Sequence, residues 1–506
     1  MCGKIYRRSA ATNKRVLVLE AGTFLISEHV QNLARIGLNV ASPVASDPGV
    51  PREIVWGLPW LSNQASPGLA YCVGGRSLFW GGWAPRLTGA DYALWPTAVA
   101  DFLKANYAQI EREIGVTLST DFITGALYTA LSNRLNAVRP TVPNLDSVEE
   151  APLAVQGQPP ASGLFSFDKY SSAPILVDAI REAAASPDLT RRLFLVPRAH
   201  VVRLHANGGT VNTIEVEVNG ERKFLSIPPN CAVVLAMGAI ESTRLALSSF
   251  RTPLMGRNLM VHLRTDLTVR IRRSAFAAAL PPQLETAAAL VRGSTPQGRF
   301  HLQFTASASS GYVSDELLFR MIPDLDLLSD ILAAHSSDWI AITVRGLGEM
   351  VGDKSAAVPN DTASWMNLSS YDYDEFGVPR AWVQLVTTSA DDALWDAMDQ
   401  AALALVQQVA GNPNDVQYLY NGGWQNQPPT LSTIRAQMRH GLGTTHHESG
   451  TLWMGAPGSS VTNEVGRFHH ISNAYVADLA LLPTVGSVNP ALVGLTLAGK
   501  VASTIA

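Results

Sequence analysis

Charge and cysteine are what this sequence has least of. Only 16% of its 506 residues are charged and the formal net charge is -4. The charges form no basic or acidic block, which speaks against a nucleic-acid or anionic-membrane partner. Its three cysteines, Cys2, Cys72 and Cys231, have neither pairing nor ligand spacing. No disulfide framework is therefore expected, a reducing compartment fits, and each reads as a small core residue. No apolar run approaches the roughly 20 residues of a membrane span. The basic opening MCGKIYRRSAATNKR carries no cleavage site, so a cytoplasmic protein is expected. A Gly-x-Ser-x-Gly elbow is missing, which disfavours a hydrolase, and there is no internal repeat. The last absence is a complete Gly-x-Gly-x-x-Gly turn ahead of the first apolar strand. Counting back through the amphipathic residues 4–14 reaches Gly3 as the last glycine such a turn would have. The expectation is a chain that starts inside a longer ancestral domain, without the first strand and most of the glycine turn.

What is present is enough apolar residue, 47%, to bury a large core in two subdomains. Residues 16–22, VLVLEAG, form a continuous apolar run ending in an acid, the pattern of a buried parallel strand whose C-terminal end carries function. Glu20 stands where a dinucleotide fold directs a carboxylate at a ribose; it is equally a core strand with an acidic end. Residues 24–56 mix helix-like and loop-like pieces without recognisable chemistry. Residues 72–87, CVGGRSLFWGGWAPRL, alternate glycine pairs with aromatics. Backbone N–H groups of Gly74, Gly75 and Ser77 are free to approach a phosphate or a ring, with Phe79, Trp80 and Trp83 as walls. The alternative is an aromatic-rich tight turn in the core.

Helices are expected over 96–115, 172–185 and 389–409, and a proline-rich excursion over 138–160. Strands are expected over 193–196, 199–205 and 213–218, with a turn at Asn207-Gly208-Gly209. A further buried strand at 232–237 leads through Gly238 into a helix near Ile240. From 266 to 440 the pattern changes to antiparallel strands and long helices, read as a substrate-binding lid. The last segment, 444–506, carries His447 and Asn489 on either side of a short buried strand at 473–478. An imidazole titrates near neutrality and accepts a proton from an alcohol, while the Asn489 amide orients or polarises the same oxygen. His446 beside His447 is either a second polar group of the pocket or a side chain turned to core or solvent. A metal site built from His446, His447, Glu448, His469 and His470 is not expected, because adjacent side chains point apart.

Together these segments resemble the glucose–methanol–choline (GMC) oxidoreductases. The matching motifs are VLVLEAG, GGRSLFWGG at 74–82, VVLAMGAIESTRL at 233–245, GRNLM at 256–260, HESGTLWMG at 447–455 and NAYVADLALLPTVGSVNP at 473–490. The resemblance implies an α/β fold: a Rossmann-like FAD-binding domain with an inserted α+β substrate domain built on an antiparallel sheet. The boundaries it suggests are 1–125, 166–268 and 442–506 for the first, and 126–165 and 269–441 for the second. It implies oxidation of an alcohol or sugar CH–OH group by hydride transfer to flavin, with His447 as base and Asn489 as second active-site residue. Glu20 is implied to hold the adenosine ribose, Val201 to contact adenine through its backbone, and Gly74, Gly75, Ser77, Phe79 and Trp80 to line pyrophosphate and flavin. Asp478 is implied beside the ribitol and phosphate, and Asn489 with Pro490 beside the isoalloxazine. Phe79 stands where some members carry a covalently attached histidine, so non-covalent FAD is implied. Trp80 with Asn489 is similar to the pyranose-oxidase-like branch and tilts the substrate toward sugars. The rival readings are a flavin-dependent lyase of the same fold and a truncated, non-catalytic remnant. The implied partners are a small-molecule alcohol or sugar and an electron acceptor.

Overall fold

The computed structural model describes residues 1–32, 56–57, 59–64, 68–116, 125–156, 168–228, 230–276, 280, 284–308, 336–355 and 359–506. Most of 24–56, the end of the proline-rich excursion at 157–160 and parts of 126–165 and 269–441 lie outside these residues.

The chain builds a mixed α/β fold whose largest element is a seven-stranded sheet. Its order is Gly423–Gln425, Val416–Tyr420, Leu263–Arg272, Trp339–Gly348, Gly298–Ala308, Glu285–Thr295 and Leu145–Glu150, and every neighbouring pair is antiparallel. Period-two alternation sorts this sheet into two unlike faces. Phe300, Leu302, Phe304, Leu267 and Val344 form the apolar face, which packs on the helix Ser389–Ala410. Gly346 lets that helix approach, since a Cβ there would sit 2.9 Å from the Met398 sulfur. The helix starts at a reciprocal cap between Thr388 and Asp391 and stops at Gly411, whose φ is +74°. Such caps satisfy backbone groups that the helix itself leaves unpaired. The opposite face of the same strands is buried but polar, with Arg264, His301, Gln303, Thr305 and Arg345 around the partly buried Asp266. Burying such groups is costly without partners. Here Arg264 and Arg345 pair with Asp266, and His301 and Gln303 bond the loop of Ser487 and Asn489.

Two short parallel ladders make the Rossmann-like part. Val16–Leu19 pairs with Leu193–Val196, and Val233–Leu235 pairs with Ala474–Val476. The helix Ala239–Phe250 follows the second ladder through Gly238, as the sequence pattern predicts. The run at 16–22 departs from its expected full burial, for Leu17 is 47% exposed. Among the described residues that strand has a ladder partner on one side only, so it is an edge. Gly3 lies in the helix Cys2–Arg8, where its Cβ position is 3.4 Å from the Ala179 Cβ of the helix Ser172–Ala184. A glycine here permits close helix packing.

The strands Ala199–Asn207, Thr210–Val218 and Glu221–Ser226 form a meander whose first turn is Gly208-Gly209. Cys231 corrects the expectation that every cysteine is a core residue. Cys72 is buried but Cys231 is exposed, because it lies on the connection leaving the exposed strand Glu221–Ser226. Among the described residues no helix is long and apolar enough to cross a membrane.

Candidate active site

His447 owes its position to a backbone register. Met260 and Ser449 exchange N–H···O bonds of 3.1 and 3.0 Å across an antiparallel bridge. Residues two steps along each arm of such a bridge fall opposite one another on the same side, and here these are His262 and His447. Their Nδ1 atoms are 2.9 Å apart and their rings meet edge to face at 84°. His262 Nε2 lies 3.0 Å from the Gly486 carbonyl oxygen, which ties the pair to the loop that carries Asn489. Gly450, with φ +85°, is required here, since a Cβ would sit 2.3 Å from the Asn258 carbonyl oxygen. The Asn258 amide in turn faces the carbonyls of Gly450, Leu482 and Pro483 at 3.3–3.4 Å.

The electrostatics keep both rings neutral near pH 7. Burial holds the His262 pKa down to about 4. Burial, followed by His262, His446, His301 and Arg76, holds His447 well below the ordinary imidazole range. Loss of hydration disfavours the charged form, and neighbouring positive charge adds to that. Arg76 rises from the glycine loop to Glu448, with Nη2 to Oε2 at 2.9 Å, and approaches His446 Nδ1 at 3.4 Å. Burial opposes ionisation of Glu448, but Arg76 and His446 outweigh it and its pKa is lowered. His446, at φ +58°, thus faces Arg76. His469 bonds Ser460 and His470 bonds the Phe250 carbonyl. Among the described residues no group of three His, Cys, Asp or Glu side chains is arranged to hold a metal ion.

Asn489 is oriented from the polar face of the large sheet. Gln303 Nε2 donates to Asn489 Oδ1 at 2.7 Å and lies 3.2 Å from His301 Nε2. His301 Nδ1 is 2.6 Å from the Ser487 carbonyl oxygen, and burial first of all holds its pKa down to about 3. With its oxygen engaged, Asn489 directs its NH2 group away from Gln303. Asp91 fixes the same loop by accepting from the Ser487 N–H and hydroxyl, both at 3.1 Å. Pro490 is the N-cap of the helix Ala491–Ile505, so Asn489 sits at a positive helix end. His262, His301 and Gln303 carry no site motif of their own, and Arg76 lies in the glycine loop, whose pattern does not single it out. For His301 and Gln303 the available signal was the alternation of polar and apolar residues in RFHLQFT.

At the nucleotide side the glycine loop and the acid are brought together. Glu20 ends the strand Val16–Leu19, and one of its carboxylate oxygens accepts from the Gly22 N–H at 2.8 Å. A parallel bridge between Thr23 and Cys72 sets this turn beside the glycine loop, where burial and then Glu20 push the Cys72 thiol up to about 12. Gly74 and Gly75 have φ of +98° and +52° and open the turn Gly75–Leu78, in which the Gly75 and Ser77 N–H groups donate to the Cys72 and Gly74 carbonyls at 2.8 and 3.2 Å. Ser77 is committed to the protein, with its hydroxyl 2.6 Å from the Gly74 carbonyl and 2.9 Å from the Ser172 hydroxyl. Phe79 packs against Cys72, Leu78 and Ala173. Trp80 donates from Nε1 to the Tyr170 carbonyl at 2.8 Å. Val201 lies opposite Val216 in the meander. Asp478 is also engaged: it accepts from the N–H groups of Gly238 and Ala480 at 3.1 and 2.9 Å, and from the Ser242 hydroxyl.

Buried polar atoms without a protein partner bear on whether a flavin fits. Thr445 Oγ1 stands in the His447 turn, Gln303 Oε1 beside Asn489, and Ser171 Oγ next to the Ser172 that meets Ser77. Orphaned buried polar groups are what a bound polar molecule would satisfy. With the left-handed glycine pair, they make a set of residues that fits the cofactor.

Residues 359–498 match the GMC oxidoreductase family model. No curated protein matches the chain in sequence. In structure the chain is similar to pyridoxine 4-oxidase from Mesorbium loti, with a TM-score of 0.63 at 14% identity, over 99% of this chain and 96% of that chain. At that identity the likeness speaks for the fold, and the family match lies on the segment that bears His447 and Asn489. Residues 359–498, with His447 and Asn489 among them, thus carry the pattern of the GMC oxidoreductases, and the fold likeness to a solved structure extends over the rest of the chain.

Proposed function

We propose that this chain oxidises an alcohol or sugar CH–OH group, with His447 as the base and Asn489 holding the reacting oxygen. The observation that carries the reading is the convergence of the two side chains on one loop: His447 through His262 on Gly486, and Asn489 through its own position. Bound non-covalently, FAD supplies the hydride acceptor. His447, neutral at working pH, takes the hydroxyl proton. The Asn489 NH2 group donates to the substrate oxygen as negative charge grows on it. Arg76 keeps the His447 turn against the glycine loop, and the apolar side chains of Phe79 and Leu78 limit water.

We assign the adenosine end to Glu20 and Val201, and the pyrophosphate and flavin to Gly74, Gly75, Ser77, Phe79 and Trp80. Asp478 serves from behind, by fixing Gly238 and Ala480, and Asn489 with Pro490 presents a helix end. The cofactor then belongs to 1–125, 166–268 and 442–506, and the substrate to 126–165 and 269–441. The buried polar sheet face favours a polyhydroxylated or ring-hydroxymethyl substrate; the structural relative is named for oxidising pyridoxine.

His447→Ala should lower turnover by roughly 10²- to 10⁴-fold while the visible flavin spectrum of the FAD-loaded protein persists. Unchanged turnover would remove His447 from the role of base. Because Phe79 offers no nucleophilic nitrogen, acid precipitation should release all flavin into the supernatant; flavin retained in the pellet would refute non-covalent binding.

A further inference from the structure

We propose that His262 is the positioning residue of this site: it locks His447 as the Nδ1–H tautomer and leaves Nε2 as the atom that takes the substrate proton. The inference rests on the reading of His447 as base.

A carbonyl oxygen only accepts. The 3.0 Å contact between His262 Nε2 and the Gly486 oxygen therefore needs the proton on Nε2. His262 is 1% exposed and burial keeps it neutral, so it has one ring proton and its Nδ1 bears a lone pair. The next atom is His447 Nδ1, 2.9 Å away. One hydrogen lies between two such nitrogens, and it belongs to His447. His447 is neutral too, which empties its Nε2 of hydrogen. The reverse arrangement fails on either of two counts. It requires a second proton on a wholly buried ring, or it strips Nε2 and sets two lone pairs against each other at Gly486.

The groups around the pair leave the lock to His262. Glu448 is taken by Arg76, Asp91 by Ser487 and Arg299, and His301 by Ser487 and Gln303; His446 faces Arg76. A neutral acceptor thus stands where a carboxylate orients the histidine in serine proteases. When His447 gains the substrate proton, its Nδ1–H keeps the same bond, and the neighbouring Glu448 carboxylate is held by Arg76.

The experiment uses the full chain labelled with ¹⁵N-histidine and long-range ¹H–¹⁵N correlation spectra near pH 7.5, without substrate. His447 is assigned by its loss in His447→Ala. His262→Leu removes the acceptor, whereas His262→Asn places an amide oxygen where Nδ1 stood. The parent and His262→Asn should show His447 protonated on Nδ1 alone, and His262→Leu should show Nε2–H or a mixture. In the FAD-loaded enzyme kcat should fall roughly 10- to 100-fold in His262→Leu, as for other orienting partners, with KM little changed and most activity restored in His262→Asn. A parent spectrum with Nε2–H, or a His262→Leu protein that keeps both tautomer and kcat, would overturn the proposal. Full turnover in His447→Ala overturns the base assignment instead, while the spectra still test the tautomer on their own.

Discussion

Arg244 offers the sharpest test of how this fold tolerates buried charge. Its side chain is 1% exposed and lies between Glu241 and Asp374, whose side chains are 7% and 2% exposed. It donates to Glu241 at 3.0 and 3.1 Å, to Asp374, and to the carbonyls of Pro379 and Val378 at 2.8 and 3.2 Å. Arg244→Met preserves much of the volume and strands two carboxylates and two carbonyls. Removing one partner of a buried ion pair costs about 3–5 kcal/mol. An unfolding entropy of about 2.1 cal/mol/K per residue, over a chain of this length, converts that to a melting point about 3–5 °C lower. The measurement is a thermal melt at fixed FAD concentration. Because loss of the cation rather than of the polar cluster is at issue, the triple variant Arg244→Met, Glu241→Gln, Asp374→Asn should recover at least half of the loss. The amide introduced by Asp374→Asn would keep an oxygen for the Phe376 and Val378 N–H groups, both bonded at 2.9 Å in the parent. A single variant within 1 °C of the parent, or a triple variant as unstable as the single, would refute the reasoning.

Gly450→Ala drives a Cβ into the Asn258 carbonyl at a positive φ, so the Met260–Ser449 bridge must shift. A displacement of about 1 Å at His447 should lower kcat by about 100-fold with flavin binding kept; a kcat within threefold of the parent would count against the register argument. The buried histidines set the acid side of stability. The native pKa values of His262 and His301, near 4 and 3, lie below the unfolded value of about 6.5. Their stabilisation is therefore present above pH 6.5 and is lost as the pH falls, because the unfolded chain binds more protons. Between pH 6.5 and 5 the two together should lose about 3 kcal/mol, and a melting temperature flat across that interval would contradict it. The depression of His447, by burial first of all, should place the acid limb of kcat/KM below the ordinary imidazole range, as read from a pH–rate profile.

Elements with local periodicity are legible in the sequence itself. The helix Ser389–Ala410 and the meander around Gly208-Gly209 follow from alternation and turn chemistry. His447 and Asn489 are legible through motif spacing, and the structure ties both to one loop. What escapes is what tertiary pairing creates. His262 meets His447 only because 260 pairs with 449, a register between segments 189 residues apart that no local pattern encodes. The exposure of Leu17 escapes for a related reason, since VLVL reads alike with one ladder partner or two. Ser77 and Asp478 are singled out by position, and the sequence does not reveal that their side-chain oxygens also hold the protein's own turns. Side-chain engagement of that kind depends on neighbours such as Ser172 and Ser242.

The contact between Arg76 and Glu448 has a consequence for how the sequence can vary. It joins two segments 372 residues apart, the glycine loop and the turn that carries His447. A change at 76 leaves the carboxylate at 448 buried without its cation, and a change at 448 frees a guanidinium beside His446. The two positions are therefore expected to show strong epistasis. In a library randomised at both, active clones should be enriched for pairs that keep the charge balance or discard it together, and each position scanned alone should look nearly immutable.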